Sequence, residues 1–202
     1  MNKYESHYKS LQFERAGLFK VIHEKYQSRD VLYPGCSVHV TPSLYFPHVV
    51  YVDQSDAAAQ FFTDERSIAQ FVSRNKHYEQ SAYVRFVQQD YSIPLPVMEE
   101  KFDLLLALFA GGVAKSCVQY LKVGGILLTN NHEGDAVDAG KDPTLELAGI
   151  IHFQEGAYSI KESELDAPRS PAQKLNNKYL KQMNDDVDYI ENELYYIFQR
   201  SR

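Results

Sequence analysis

Gly35, Cys36 and Ser37 stand in a short turn after the apolar run VLY, and Asp53 closes the next apolar run, VVYV, 18 positions beyond Gly35. Glycine lets backbone approach a ligand closely, and the N–H groups of a turn suit polar or anionic groups. A carboxylate at a strand end can accept hydrogen bonds from both hydroxyls of a ribose. Gln89, Asp90 and Tyr91 follow a third run, offering an amide or carboxylate for an adenine amino group and a ring for stacking. Phe109, Ala110 and Gly111 follow a fourth, where small residues leave space for a ligand. Tyr33 and Gln54, neighbours of the first two positions, complete the set. The chemistry it suits is recognition of a nucleoside.

Each position also has a plainer role. Gly35 suits any tight turn, Asp53 could cap the helix that follows, and Asp90 could be only a loop residue. Cys36 near a helix start invites a nucleophile reading, but nothing supports it and a packed or cofactor-lining thiol is simpler. His39, His48 and His132 show no metal-ligand spacing, and no metal site is expected. His132 and Glu133 follow a fifth strand on the same edge and are candidates for contacting an acceptor. Cys36 and Cys117 are too few for a disulfide framework and should be reduced thiols.

The elements that must position these residues follow from periodicity. Tyr4, Tyr8, Leu11, Leu18, Phe19, Ile22 and Tyr26 recur at helical intervals, giving one or two helices with a break near Gly17. Strands are expected over 31–33, 49–53, 83–89 and 126–129, and the nearly continuous run FDLLLALFAGG fits a strand buried on both faces. Thr41 and Pro42 open a helical turn that Pro47 stops; 57–62, 67–75 and 113–121 read as helices, with KVGG as a turn. LELAGIIHF and AYSI read as a strand hairpin, 162–171 as loop, and Leu175, Tyr179, Met183, Val187, Ile190, Leu194, Tyr195 and Phe198 as a long C-terminal helix. The alternation predicts an α/β fold: an open, mostly parallel seven-stranded sheet with helices on both faces and an antiparallel strand at one edge. Residues 1–29 form a helical lead-in, 30–161 the sheet domain, and 162–202 a loop and helix that pack on it or on a partner.

These parts together resemble the class I S-adenosylmethionine-dependent methyltransferases. VLYPGCS matches the first strand and its Gly-bearing loop, VVYVD the second strand ending on an acid, and FVQQDY the third with its Asp. FDLLLALFAGGVAKSCVQYLKVGGILL is the most specific piece, a strand and helix leading to an LxxGG turn, and the match runs over about residues 30–153. The resemblance implies a Rossmann-like fold, S-adenosylmethionine as cofactor with S-adenosylhomocysteine as product, and methyl transfer to a small-molecule or protein acceptor. It implies cofactor contacts at Tyr33, Gly35, Cys36, Ser37, Asp53, Gln54, Gln89, Asp90, Tyr91, Phe109, Ala110 and Gly111. The glycine loop is divergent, with Ser37 and His39 where a GxGxG pattern would carry glycines. FAGG stands where methylases of bases carry a DPPY or NPPY motif, which removes the best support for base methylation.

The bulk properties bound the alternatives. A net charge of −6 argues against a broad nucleic-acid or anionic-membrane footprint. The N-terminal residues lack the apolar stretch of a signal peptide and no run approaches membrane-span length, so a cytoplasmic protein is expected. Two other readings stay open: a catalytically inactive nucleotide-binding or assembly module of the same fold, and a nicotinamide-dependent oxidoreductase. The LKVGG turn and the missing phosphate-binding glycines count against the second. The C-terminal aromatic stripe suits core packing or a homodimer face.

Overall fold

The computed structural model describes residues 1–10, 14–163, 165–168 and 194–202. The chain opens with α1 (Asn2–Tyr4), which continues as a π-helical turn over Glu5–Lys9, and then α2 (Ala16–Tyr26). The apolar runs next become β1 (Asp30–Pro34), β2 (His48–Asp53), β3 (Tyr83–Gln88), β4 (Phe102–Ala107) and β5 (Leu121–Thr129). All five are parallel, in the spatial order β3-β2-β1-β4-β5.

Successive side chains of a strand point to opposite faces, so the buried runs feed two cores. Val31, Tyr33, Val49, Tyr51, Leu104 and Leu106 join one; Leu32, Val50, Val52, Leu105 and Ala107 join the other. The first core is covered by α2 with α3 (Asp56–Phe62) and α4 (Glu65–Asn75), through Leu18, Phe19, Ile22, Phe61, Phe62, Ile68 and Val72. Both of the later helices begin at a capping side chain: Ser55 Oγ accepts from Ala58 N at 3.3 Å and Asp64 Oδ1 from Ser67 N at 3.2 Å. The second core is covered by α5 (Val113–Cys117), α6 (Asp135–Ala139) and Leu95 of the loop after β3.

The α/β class, the parallel order and the hairpin are as the sequence predicts. The hairpin is β6 (Leu145–Gln154) and β7 (Ala157–Lys161), antiparallel, with β7 at the sheet edge. The sheet has eight strands rather than seven, because β8 (Leu194–Arg200) enters between β5 and β6, antiparallel to both. Leu194, Tyr195 and Phe198, expected on a helix, therefore lie on a strand; the rest of that expected helix, through residue 193, lies outside the described residues. The run LYYIF satisfies either period, and the two-faced slot decides: Tyr195 and Ile197 enter the first core, Tyr196 and Phe198 the second.

Smaller differences have similar causes. KVGG is not a free turn but a bulge within β5, where pairing jumps from Phe102↔Leu121 to Leu104↔Ile126 and Gly124 takes φ +83°. The helix expected over 113–121 ends at Cys117 and passes through a 3₁₀ turn, Val118–Tyr120. The segment NNHEGDAVDAGKDP between β5 and β6 contains α6. Arg15, at the N-cap of α2 with φ +49°, marks the start of that helix just before Gly17, where a break is expected.

At the N-terminal ends of the strands, Asp103 ties three elements together. Its Oδ2 accepts from Arg29 N at 3.0 Å and Asp30 N at 2.9 Å, and its Oδ1 meets Lys122 Nζ at 2.7 Å. Burial acts to raise this carboxyl, but those donors outweigh it and hold its pKa below the ordinary value. Asp103→Ala should lower stability by about 2 to 3 kcal/mol, since charge-assisted bonds are lost and backbone donors are stranded. The urea midpoint measures this, and an unchanged midpoint would show that the network contributes nothing.

Candidate functional site

Strand order reverses between β1 and β4, and in open parallel sheets ligands bind in the crevice outside the carboxyl ends of strands at that reversal. Here the chain leaving β1 turns at Gly35, with φ +66°. Gly35 N and Cys36 N both donate to Val52 O, at 2.8 and 3.3 Å, binding the turn to the end of β2. A Cβ at position 35 would stand 2.6 Å from Ala110 Cβ and 3.6 Å from the ring of Tyr91. Glycine is thus required twice, by backbone conformation and by the approach of the β4 exit. Tyr91, from the β3 exit, donates its hydroxyl to Gly111 O at 2.9 Å and so ties that exit to the chain leaving β4.

Asp53 occupies the end of β2. Its Oδ2 accepts from Ser37 N and its Oδ1 from Ser55 N, both at 2.8 Å, so it orders the β1 turn and the entry to α3. Gln54, beside it, is exposed. At the β3 exit Gln89 N donates to Asp53 O at 3.2 Å, while the Gln89 amide closes its own loop on Pro94 O at 2.8 Å. Asp90 Oδ1 accepts from Ser92 N at 2.8 Å, which lowers its pKa. Cys36 is fully buried; burial and then the charge of Asp53 push its thiol well up, which suits packing and not nucleophilic attack.

Over the exits of β1 and β4 lies a cluster that the expected set only touches. The Arg15 guanidinium stands 4.4 Å above the ring of Phe109, and its Nε donates to Tyr195 Oη at 2.7 Å. Tyr8 stacks on His39 with ring centroids 4.3 Å apart. Tyr33 Oη meets His39 Nδ1 at 3.0 Å. Burial, helped by the positive charge of Arg15, lowers the His39 pKa to about 3, so this ring is neutral. Burial also raises the phenols of Tyr8 and Tyr33.

The β4 and β5 exits meet through Asn130, whose Oδ1 accepts from Phe109 N at 3.0 Å. Phe109, Asn131 and Glu133 all have left-handed backbone, with φ +58°, +59° and +52°. Glu133 presses against Gly111, and the rings of His132 and Phe109 lie 6.2 Å apart. Behind them Asp135 is 1% exposed; its Oδ1 accepts from Ala114 N at 2.9 Å, and its Oδ2 has no hydrogen-bond partner among the described residues. Burial is the main cause that raises its pKa to about 6.

The twelve expected residues therefore share one edge. Gly35, Tyr91, Ala110 and Gly111 touch, Ser37 binds Asp53, and Phe109 turns toward Arg15 and His132. Tyr8, Arg15, Asn130, Asp135 and Tyr195 were not in the set. Asn130 and Asp135 could have been found from their places just after a strand; Arg15 and Tyr195 reach the edge only through the tertiary fold. Two open cavities, about 420 and 580 Å³, lie at the opposite edge, beside Asp30, Lys122 and Asp103 and beside His48, Tyr83 and Met98. Neither includes an expected site residue, and we favour the C-terminal edge because the strand reversal is there.

No family model and no curated protein matches the chain. Solved structures do. A chain from the complex of the Haloferax volcanii Trm112 methyltransferase activator with a candidate methyltransferase aligns over 100% of this chain and 96% of its own, at 13% identity and TM-score 0.55. A Thermotoga maritima protein, described as an S-adenosylmethionine-dependent methyltransferase and a candidate histamine N-methyltransferase, aligns over 100% and 95%, at 13% and 0.55. A candidate S-adenosylmethionine-dependent methyltransferase of Methanococcus maripaludis aligns over 100% and 91%, at 12% and 0.53. At such identities the likeness is one of fold.

Asp135 gives the site a pH signature. Its pKa of about 6 in the folded chain lies above the ordinary 3.8, so folding favours the protonated form. That contribution is full below the ordinary value and is lost as pH rises through the folded one, a change of about 3 kcal/mol. Urea unfolding of the wild type should therefore weaken between pH 4 and pH 7 by about that much relative to Asp135→Asn. Identical pH slopes for the two proteins would show that the carboxyl does not titrate as described.

Proposed function

We propose that this chain, which has the fold of the class I S-adenosylmethionine-dependent methyltransferases, binds S-adenosylmethionine at the β1–β4 reversal and transfers its methyl group to a small-molecule or protein acceptor. The observation that carries this reading is Asp53, fixed at the end of β2 beside the positive-φ Gly35. A carboxylate has about four lone-pair sites. Ser37 N and Ser55 N use one on each oxygen. The remaining sites suit the two hydroxyls of a ribose.

The other residues fit the same ligand. Backbone of Gly35, Cys36 and Ser37, with the small Ala110 and Gly111, would border its amino acid end, above the buried Tyr33. Gln89, Asp90 and Tyr91 would border the base, Asp90 keeping Oδ2 for its amino group, and Gln54 would lie at the exposed rim. The cofactor supplies a methyl group on a positively charged sulfur, activated before it binds. What remains for the protein is alignment and exclusion of water, so no strong acid or base is needed. Phe109, His132 and Glu133 stand where an acceptor would enter.

A specific observation supports a second reading. Ala110 and Tyr91 already pack on Gly35, which suits an inactive assembly module of the same fold. The Haloferax volcanii neighbour is held in complex with an activator protein, and a protein partner is compatible with either reading. Calorimetric titration separates them. S-adenosylmethionine should bind the wild type, and Asp53→Ala should weaken binding by roughly 1.5 to 3 kcal/mol. Absence of binding at millimolar ligand would leave the assembly module; binding that Asp53→Ala does not alter would place the ligand elsewhere.

A further inference from the structure

A crossover between parallel strands usually lays a helix on the sheet, but the chain from β3 to β4 does not. Residues 89–101 contain no helix. Pro94 and Pro96 explain this: each lacks an N–H, and each disfavours helical backbone in the residue before it. The loop is nevertheless fixed. Leu95 N donates to Tyr120 Oη at 2.7 Å, and Leu95 is buried in the second core.

Where that helix would lie, the structure has the cavity of about 580 Å³ over the start of β2 and β3. His48 pairs with Tyr83 and Val50 with Arg85, and positions two apart on a strand share a face, so one sheet face presents all four to the cavity. Val97, Met98 and Phe102 add to its apolar wall. Such a volume, with largely apolar walls and a few convergent polar groups, suits a small organic ligand. Tyr83 and Met98 are 52% and 73% exposed, so the cavity opens to solvent.

Charge decides which ligand. Among the described residues that line the cavity, Asp30 is the one carboxylate, and it is already met: Lys101 Nζ lies 3.0 Å and His48 Nδ1 3.2 Å from its Oδ1. Arg85 donates from Nη2 to Pro96 O at 3.3 Å, which holds the guanidinium against the loop, and it meets no carboxylate among the described residues. A guanidinium has five N–H donors in a planar fork that matches a carboxylate, so most of its donors remain for a ligand.

We propose that this cavity binds a small amphipathic organic acid, its carboxylate on Arg85 and its apolar body along Val50, Val97, Met98 and Phe102. The place is distinct from the β1–β4 reversal: His48 and Asp53 are five positions apart on β2 (53 − 48), roughly 16 Å. An acid bound there is too far away to be the methyl acceptor, and the assignment does not rest on the methyltransferase reading.

The full chain is titrated calorimetrically with octanoate, with 1-octanol, which has the body without the charge, and with acetate, which has the charge without the body. Octanoate should bind at least about tenfold more tightly than either. Arg85→Met should weaken octanoate by roughly tenfold or more and leave 1-octanol within about twofold. No binding of octanoate at about 10 mM overturns the proposal. Equal binding of octanoate and 1-octanol also overturns it, and would mark an apolar surface for a protein partner instead. So does an Arg85→Met protein that binds octanoate like the wild type, or one that loses both ligands equally. If circular dichroism shows that Arg85→Met does not fold, the wild type decides by nuclear magnetic resonance. Amide shifts on adding octanoate should centre on Val50, Arg85 and Val97, and shifts centred elsewhere overturn the proposal.

Discussion

The close approach of the turn after β1 to the chain leaving β4 governs the rest of the C-terminal edge. Where the strand order reverses, the chains leaving β1 and β4 go to opposite sides, and Gly35 against Ala110 is where they part. Because Gly35 N and Cys36 N bind Val52 O, the turn is also welded to the end of β2. That weld brings Ser37 N to Asp53, so the position of the carboxylate follows from the turn. Tyr91 and Asn130 then hold the exits of β3, β4 and β5 to the same frame.

The two edges of the sheet use charge differently. At the N-terminal edge Asp30 and Asp103 meet Lys101, Lys122 and His48, with contacts from 2.7 to 3.9 Å, and opposite charges balance in place. At the other edge Arg15 lies over the Phe109 ring and bonds Tyr195, and Asp135 keeps an oxygen with no hydrogen-bond partner among the described residues. Arg15, Ser37, Phe109, Asn131 and Glu133 all take left-handed backbone there. Left-handed backbone and a buried polar oxygen beside the strand reversal are what a site for a ligand looks like; balanced pairs on the opposite edge are what stability looks like.

Much of this was legible in the residues. A parallel strand buried on both faces must be apolar throughout, so VLYP, VVYV and LLLA announced the centre of the sheet. Asp53 and Gly35 could be paired because strand ends at a known spacing must lie on one edge. LYYIF could not be settled in this way, since an apolar run that short fits a helix face as well as a strand with two buried faces. Nor could Arg15 be placed: its environment is made by Phe109 and Tyr195, which lie 94 (109 − 15) and 180 positions further along the sequence. The short α6 was hidden because Asp135, Ala136 and Ala139 show too little periodicity to stand out from a loop.

The position of β8 bears on how the chain is made. A ribosome delivers β5, then β6 and β7, before the residues that separate them. Until Leu194–Arg200 emerges, β5 lacks its outer neighbour and the β6–β7 hairpin cannot join the sheet, so backbone donors and acceptors on both lie open. Assembly of this half of the sheet must wait for β8, and it closes by inserting a strand between two others and not by adding one to an edge. Such an order favours a long-lived partly folded chain with two unpaired borders, the kind of species that chaperones hold and that aggregation captures.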